Sequence, residues 1–322
     1  MTGYDAAKKT VWLMRVKDVP ANTPIMVKGA KGTTVPVPVK TSSSVYCKNM
    51  MVGNGTGSSM TVNSTDGDKT NYILSQGEFV QASGSTIGAN KAYLQLPTTL
   101  PSAVTGSSQT VKLNKEKTTY CSSVDLDFSD VAGLQAFAAS GYDNSNKTVW
   151  LTRVTRVPAG TGLLLKGTAG ETYTIPSSGA QTYLENMLVG NCSGSPVTIG
   201  ATDGDMRNYL LSDGKFVSIA AGKTSNLSSG KAYLQIPAEV LTRSLVGGDL
   251  AGLPYYDLVD DIEMISVPIN TRGIGGDDDD TTGIDELRGD DADGVYYNLN
   301  GQRVENPGKG LFIKNGKKVI IR

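Results

Sequence analysis

Histidine is missing altogether from the 322 residues. Imidazole is the usual general base near neutral pH and the commonest ligand of catalytic zinc. Ser-His-Asp and Cys-His hydrolysis and His-ligated metal chemistry are therefore excluded within this chain, while carboxylate-only and Ser-Lys mechanisms stay open. Bulky aromatics are few, with five Phe and two Trp, and charged residues make up only 19%. No run approaches the roughly 18 apolar residues of a spanning helix, and no charged-then-apolar leader opens the chain, so no transmembrane segment is expected. Cysteine is limited to Cys47, Cys121 and Cys192, an odd set without metal-ligand spacing. Free, mostly buried thiols are the favoured reading over a disulfide.

What is present is a mixture rich in Gly, Thr, Ser and Val, which suits short strands joined by turns better than long helices. Charge is uneven. Residues 257–293 hold 13 acidic and 2 basic side chains, whereas the last 29 residues hold 6 basic and 1 acidic. The positive charge elsewhere is dilute and unpatterned, so no nucleic-acid partner is expected.

A tandem duplication organises the chain. KTVWLMRVKDVPANTPIMVKG at residues 9–29 matches KTVWLTRVTRVPAGTGLLLKG at 147–167 in 13 of 21 positions. The match resumes over residues 49–80 and 186–217 at 19 of 32 positions, and closes with KAYLQLP against KAYLQIP. A period of this length makes each copy a domain with its own core rather than a solenoid unit. Inside each copy TVWL, LLLKG and KAYLQ read as strands, and NYILS-QG-EFV and NYLLS-DG-KFV read as two-residue hairpins. Only Asp127 to Ser140 carries helical spacing, through Val131, Leu134 and Phe137, with Ser129 as a cap.

The expected fold is all-β: two tandem related antiparallel β-sandwich or barrel-like domains plus a small C-terminal β-hairpin unit. The expected boundaries are residues 1–99 for the first repeat, 100–117 for a connector, 118–240 for the second repeat, 241–293 for an acidic irregular linker and 294–322 for the C-terminal unit. Gly3-Tyr4-Asp5 is the counterpart of Gly141-Tyr142-Asp143, behind which the second copy has a long lead-in. The first domain is accordingly expected to be incomplete, lacking a strand or borrowing one from residues 97–117.

The C-terminal unit has Asn300-Gly301 and Asn315-Gly316 as turns between apolar runs, which marks two hairpins. Tyr297, Asn298, Leu299, Asn300, Gly301, Gln302, Arg303 and Val304, followed by Gly310, then Asn315, Gly316 and Lys317, resemble the tail of secreted and surface proteins of the Bacteroides and Prevotella group. That resemblance implies a type IX-like sorting or anchoring domain, secretion machinery as its partner, and an extracellular or outer-membrane surface location. The duplicated domain resembles accessory modules of the same bacteria through VDLDFSD, VPAGTGLLLKG and GKAYLQ in the second copy; the first copy has VPANTP and NKAYLQ and no lead-in. Such modules imply no catalysis.

Candidate sites are few. Trp12 and Trp150 stand at equivalent strand positions and could stack a sugar ring, against core packing as the favoured reading. Asp66, Asp68, Asp203 and Asp205 in the two TDGD stretches are weak calcium candidates, with ordinary turn chemistry favoured. Asp125 and Asp127 are two residues apart on an extended segment and read as solvated charges rather than a glycosidase pair. The Arg288-Gly289-Asp290 tripeptide and the run Asp277 to Asp280 sit in the acidic linker and read as chance and as hydrated spacer. No cofactor is expected. The functional expectation is a non-catalytic spacer or adhesion region of a bacterial surface protein, binding a glycan or a host surface protein. The alternative is the accessory C-terminal portion of a larger secreted hydrolase.

Overall fold

The structure, a computed structural model, describes residues 1–238 apart from 7, 17–18, 31, 40–44, 145–146 and 180–181. It also describes the backbone of the later strands Tyr255–Val259, Met264–Asn270, Tyr296–Tyr297, Arg303–Val304, Gly310–Lys314 and Lys317–Ile321. Every regular element described is a strand, as expected of a β-branched sequence punctuated by glycine. The chain divides into two units, Met1–Gly283 and Ile284–Arg322.

In the second repeat one sheet runs in the order Lys117–Tyr120, Leu163–Lys166, Gln135–Asp143, Thr148–Val154, Tyr255–Val259, Lys215–Ser218, Met206–Ser212, Lys231–Pro237 and Leu188–Asn191. The corresponding part of the first repeat runs Gly3–Asp5, Thr10–Met14, Met264–Asn270, Glu78–Gln81, Lys69–Ser75, Ala92–Pro97 and Met51–Gly53. The hairpins read from sequence are in place. Ser75 pairs with Glu78 across Gln76-Gly77, and Ser212 with Lys215 across Asp213-Gly214. Both residues of each turn have positive φ, from 47° to 83°, as a type I′ turn requires. The small cores behind them correspond as well: Val62, Ile73, Ala82, Ile87 and Tyr93 in one copy, Ile199, Ile219, Leu227 and Tyr233 in the other.

The two repeats are joined by an exchange of strands. Gly3–Asp5 of the first pairs with Thr182–Leu184 of the second, and Val45–Cys47 of the first pairs with the end of Gln135–Asp143. The registers are equivalent: Tyr4 lies opposite Tyr183, and Tyr142 opposite Tyr46. The flanking backbone bonds repeat too, with Glu185 N donating to Thr2 O at 2.8 Å and Lys48 N to Ser140 O at 3.0 Å. Each repeat thus gives and receives the same segments, the self-complementary pattern of a twofold interface within one chain. The ladder between Gln135–Asp143 and Thr148–Val154 is irregular between Ala139 and Gly141. This bulge marks the crossover: Ala139 O still accepts Met187 N of its own repeat, whereas Ser140 O accepts Lys48 N of the other. A bulge re-aims a strand at such a point.

Three expectations need correction. Residues 128–134 are not helical: Val131 N bonds Phe128 O and Leu134 N bonds Val131 O, two successive turns that lead into the strand Gln135–Asp143. That strand is buried at every residue from Ala136 to Asp143, so it lacks the alternation that separates strand from helix in a sequence. The acidic stretch contains two strands, Tyr255–Val259 and Met264–Asn270, which fill the same slot in each repeat, beside Thr148–Val154 and Thr10–Met14 respectively. Their apolar runs are hidden by the charge averaged over the region. The connector does not lend a strand to the first repeat, because Gln109–Lys112 pairs with Thr172–Ile175 and Lys117–Tyr120 with Leu163–Lys166, all in the second.

The cysteine reading is corrected too. Cys121 and Cys192 form a disulfide across 71 residues, with Cα atoms 5.8 Å apart. Strand Lys117–Tyr120 delivers Cys121 beside Leu188–Asn191, and Gly190 leaves the room, since a Cβ there would overlap the Cys121 sulfur. Gly55 occupies the Cys192 place in the first repeat, so comparing the copies concealed the pair. Cys47 is a free thiol, half-buried, and burial pushes its pKa up to about 11.

In the second unit the strand order is Arg303–Val304, Tyr296–Tyr297, Gly310–Lys314 and Lys317–Ile321, with Tyr297 opposite Arg303 and Lys314 opposite Lys317.

Candidate functional site

The strand exchange places the aromatic groups first. Trp12 lies opposite Gly3, and Trp150 opposite Gly141. A Cβ on Gly3 would come within 2.5 Å of the Trp12 ring, and one on Gly141 within 2.9 Å of the Trp150 ring. Each indole therefore covers a glycine of the exchanged Gly-Tyr-Asp segment, a packing role at the junction. Trp12 is buried and Trp150 half-buried. The Tyr46 and Tyr142 rings lie 5.6 Å apart, close enough for a favourable aromatic pair. At the equivalent place, Lys69 of the first repeat sits 5.8 Å from the Tyr183 ring centroid. Burial and the Glu185 carboxylate, to which the phenol donates at 3.0 Å, hold the Tyr183 pKa up to about 12. Met14 Sδ accepts from Ser140 Oγ at 3.1 Å, next to Thr152, the residue equivalent to Met14 itself.

The carboxylates singled out from sequence do separate structural work. Asp125 is 1% exposed, not solvated as expected, and its two oxygens accept from Val104 N at 2.9 Å and Ala159 N at 2.7 Å. A buried carboxylate is tolerated when backbone donors satisfy it in this way. Asp127 accepts from Ser129 N at 2.9 Å and lies 3.7 Å from Arg156. Asp66, Asp68, Asp203 and Asp205 are exposed in tight turns. Gln95 reaches Asp66 at 3.2 Å, and Gln235 reaches Asp203 at 3.3 Å. Among the described residues no three His, Cys, Asp or Glu side chains gather into a metal site.

A groove that the sequence did not reveal lies in the second repeat. It has a volume of about 910 Å³ and is lined by Glu116, Ser129 to Gln135, Arg153 and Lys166 to Ala169. One wall is the pair of turns after Asp127, and the other is the loop following Leu163–Lys166. Two cationic and two anionic side chains, Arg153, Lys166, Glu116 and Asp130, share a lining that contains no aromatic residue. The arrangement suits a polar chain with charges of both signs. The first repeat has Arg15 and Lys28 in the places of Arg153 and Lys166, but no counterpart of the turn wall.

Of the C-terminal motif, Tyr297, Arg303, Val304, Gly310 and Lys317 lie in described strands. Asn298, Leu299, Asn300, Gly301, Gln302, Asn315 and Gly316 fall outside the described residues, as do Arg288-Gly289-Asp290 and the run Asp277 to Asp280. No helix among the described residues is long and apolar enough to cross a membrane. No protein-family model, curated protein or solved structure matches the chain.

Proposed function

We propose that this chain is a non-catalytic accessory region of a bacterial secreted or surface protein, a rigid body that spaces or presents a binding face and is exported through its C-terminal unit. The observation that carries this reading is the strand exchange, which makes two repeats one mechanical object instead of two beads on a linker. The Cys121–Cys192 bridge supports an oxidising compartment, where structural disulfides persist. The mixed-charge groove favours a polar polypeptide of a host surface over a sugar, which would call for an aromatic platform.

The test is export. The full chain and a chain ending at residue 293 are expressed in a Bacteroides host, and the share reaching the surface or medium is measured with the oxidation state of Cys121 and Cys192. Export that depends on residues 294–322, with the bridge formed, is expected. Equal export without the tail, or cytoplasmic retention with both thiols reduced, would overturn the proposal.

A further inference from the structure

The hairpin that carries the junction bulge closes with Asp143 paired to Thr148, and its turn gathers an amine, a carboxamide and a carboxylate. Lys147 Nζ donates to Asn144 Oδ1 at 2.5 Å. A carbonyl carbon lies about 1.2 Å behind its oxygen, so Nζ is within about 3.7 Å of Asn144 Cγ, near the ~3–3.5 Å of a near-attack arrangement. Asn144 is 1% exposed and Asp143 6%, which keeps bulk water from the carbon and from the carboxylate. Lys147 is half-buried, and burial lowers its pKa against the opposing pull of Asp143. A desolvated lysine gives up its proton more readily and becomes the better nucleophile.

The first repeat shows that the turn itself does not call for the amide. Lys9 stands in the place of Lys147, with φ of 50° against 51°, and Asp5 pairs with Thr10 as Asp143 pairs with Thr148. Ala6 stands in the place of Asn144, and Lys9 is exposed. The same backbone therefore forms without the carboxamide, which the second repeat adds beside a half-buried amine. Other lysine contacts lack one of the three groups. Lys231, also lowered by burial, donates to the Thr118 hydroxyl at 2.8 Å, which offers no carbonyl carbon. Lys115 meets the Asp213 carboxylate at 2.6 Å, but both side chains are exposed to water, which opposes condensation.

We infer that Lys147 and Asn144 join in a self-formed isopeptide bond, with Asp143 carrying the protons. Nζ forms a bond to Asn144 Cγ and the Cγ–Nδ2 bond breaks. Two protons leave Nζ in turn, Asp143 relays them to Nδ2, and the nitrogen departs as ammonium. No oxidant, reductant or cofactor is consumed. Holding the groups in contact supplies an effective molarity of about 10⁵–10⁸ M, which the aminolysis of an otherwise inert amide requires. The link staples the turn end of the crossover hairpin, next to the pairing of Asp143 with Val45 of the first repeat. The inference does not rest on the proposed export or spacer role.

Mass spectrometry of the full chain, denatured and reduced, reads the bond directly. The chain is expected to be lighter than its sequence by one ammonia. Trypsin should then fail to cut after Lys147 and release residues 118–153 as one peptide carrying that loss. Lys147→Arg should restore the full sequence mass and the cut at 147. Asn144→Ala, which copies Ala6 of the first repeat and so suits the turn, should restore both as well. Asp143→Asn should leave the ammonia in place, and a linked chain in that variant would overturn the part given to the carboxylate. An unchanged chain of full sequence mass, cut after Lys147, would overturn the inference. So would an ammonia loss that persists in Lys147→Arg, since it would mark a succinimide at Asn144 made without the lysine.

Discussion

The two repeats match at 13 of 21 positions around their Trp strands and still differ in what they bury. Leu165 and Ile175 are fully buried, while their counterparts Val27 and Val37 stand 64% and 77% exposed. Beyond residue 49 the copies agree at the centre of their sheets, where Phe79 and Phe216, and Leu94 and Leu234, are all fully buried. Local sequence sets the turns and the apolar register in both copies. Burial is decided by what lies on top, and residues 109–138 lie on top of only one. The disulfide follows the same division, since Cys121 belongs to that covering segment and Cys192 faces Gly55 in the alignment.

The sharpest way to break the comparison is to remove the bridge. Changing both Cys121 and Cys192 to Ser should lower stability by about 4 kcal/mol by the loop-entropy model for a loop of this length, read as a fall in the denaturant midpoint. Thiol titration of the unchanged chain should find one reactive thiol after denaturation without reductant and three with it, because only Cys47 is free. Three thiols without reductant would remove the distinction between the copies.

A smaller effect probes the cores. Leu165→Ala should cost about 3 kcal/mol as a buried large-to-small change, whereas Val27→Ala at the equivalent exposed position should stay within about 0.5 kcal/mol. Denaturant unfolding of both variants measures the contrast, and equal losses would mean that Val27 is covered as Leu165 is.

Much of this was legible in the sequence. The all-β class, the duplication, both Gln-Gly and Asp-Gly hairpins and the TDGD turns follow from residue pattern, because they depend on a few neighbours in the chain. The strand exchange was not, since Gly-Tyr-Asp and Val-Tyr-Cys carry no mark of which copy they pair with, and either pairing satisfies the same backbone bonds. Residues 128–140 were misread for a different reason. Turns at Phe128 and Val131 place Val131 and Leu134 at helical spacing, and the strand that follows is buried on both faces. Asp125 looked solvated because nothing local announces that Val104 and Ala159 will bring two backbone donors to it. The groove beside Arg153 and Lys166 needs two walls distant in sequence, and only folding sets them side by side.

The central claim is that the repeats exchange strands in equivalent registers. Hydrogen exchange at the Lys48 and Glu185 amides tests it most directly, because each donates across the junction, to Ser140 O and Thr2 O respectively. Both should be protected to the level of the Met187 amide, which donates within the second repeat, and should be lost together when Gly141→Val is introduced, where a Cβ would meet the Tyr46 carbonyl. Lys48 and Glu185 amides exchanging at the rate of exposed loops while Met187 stays protected would contradict the account.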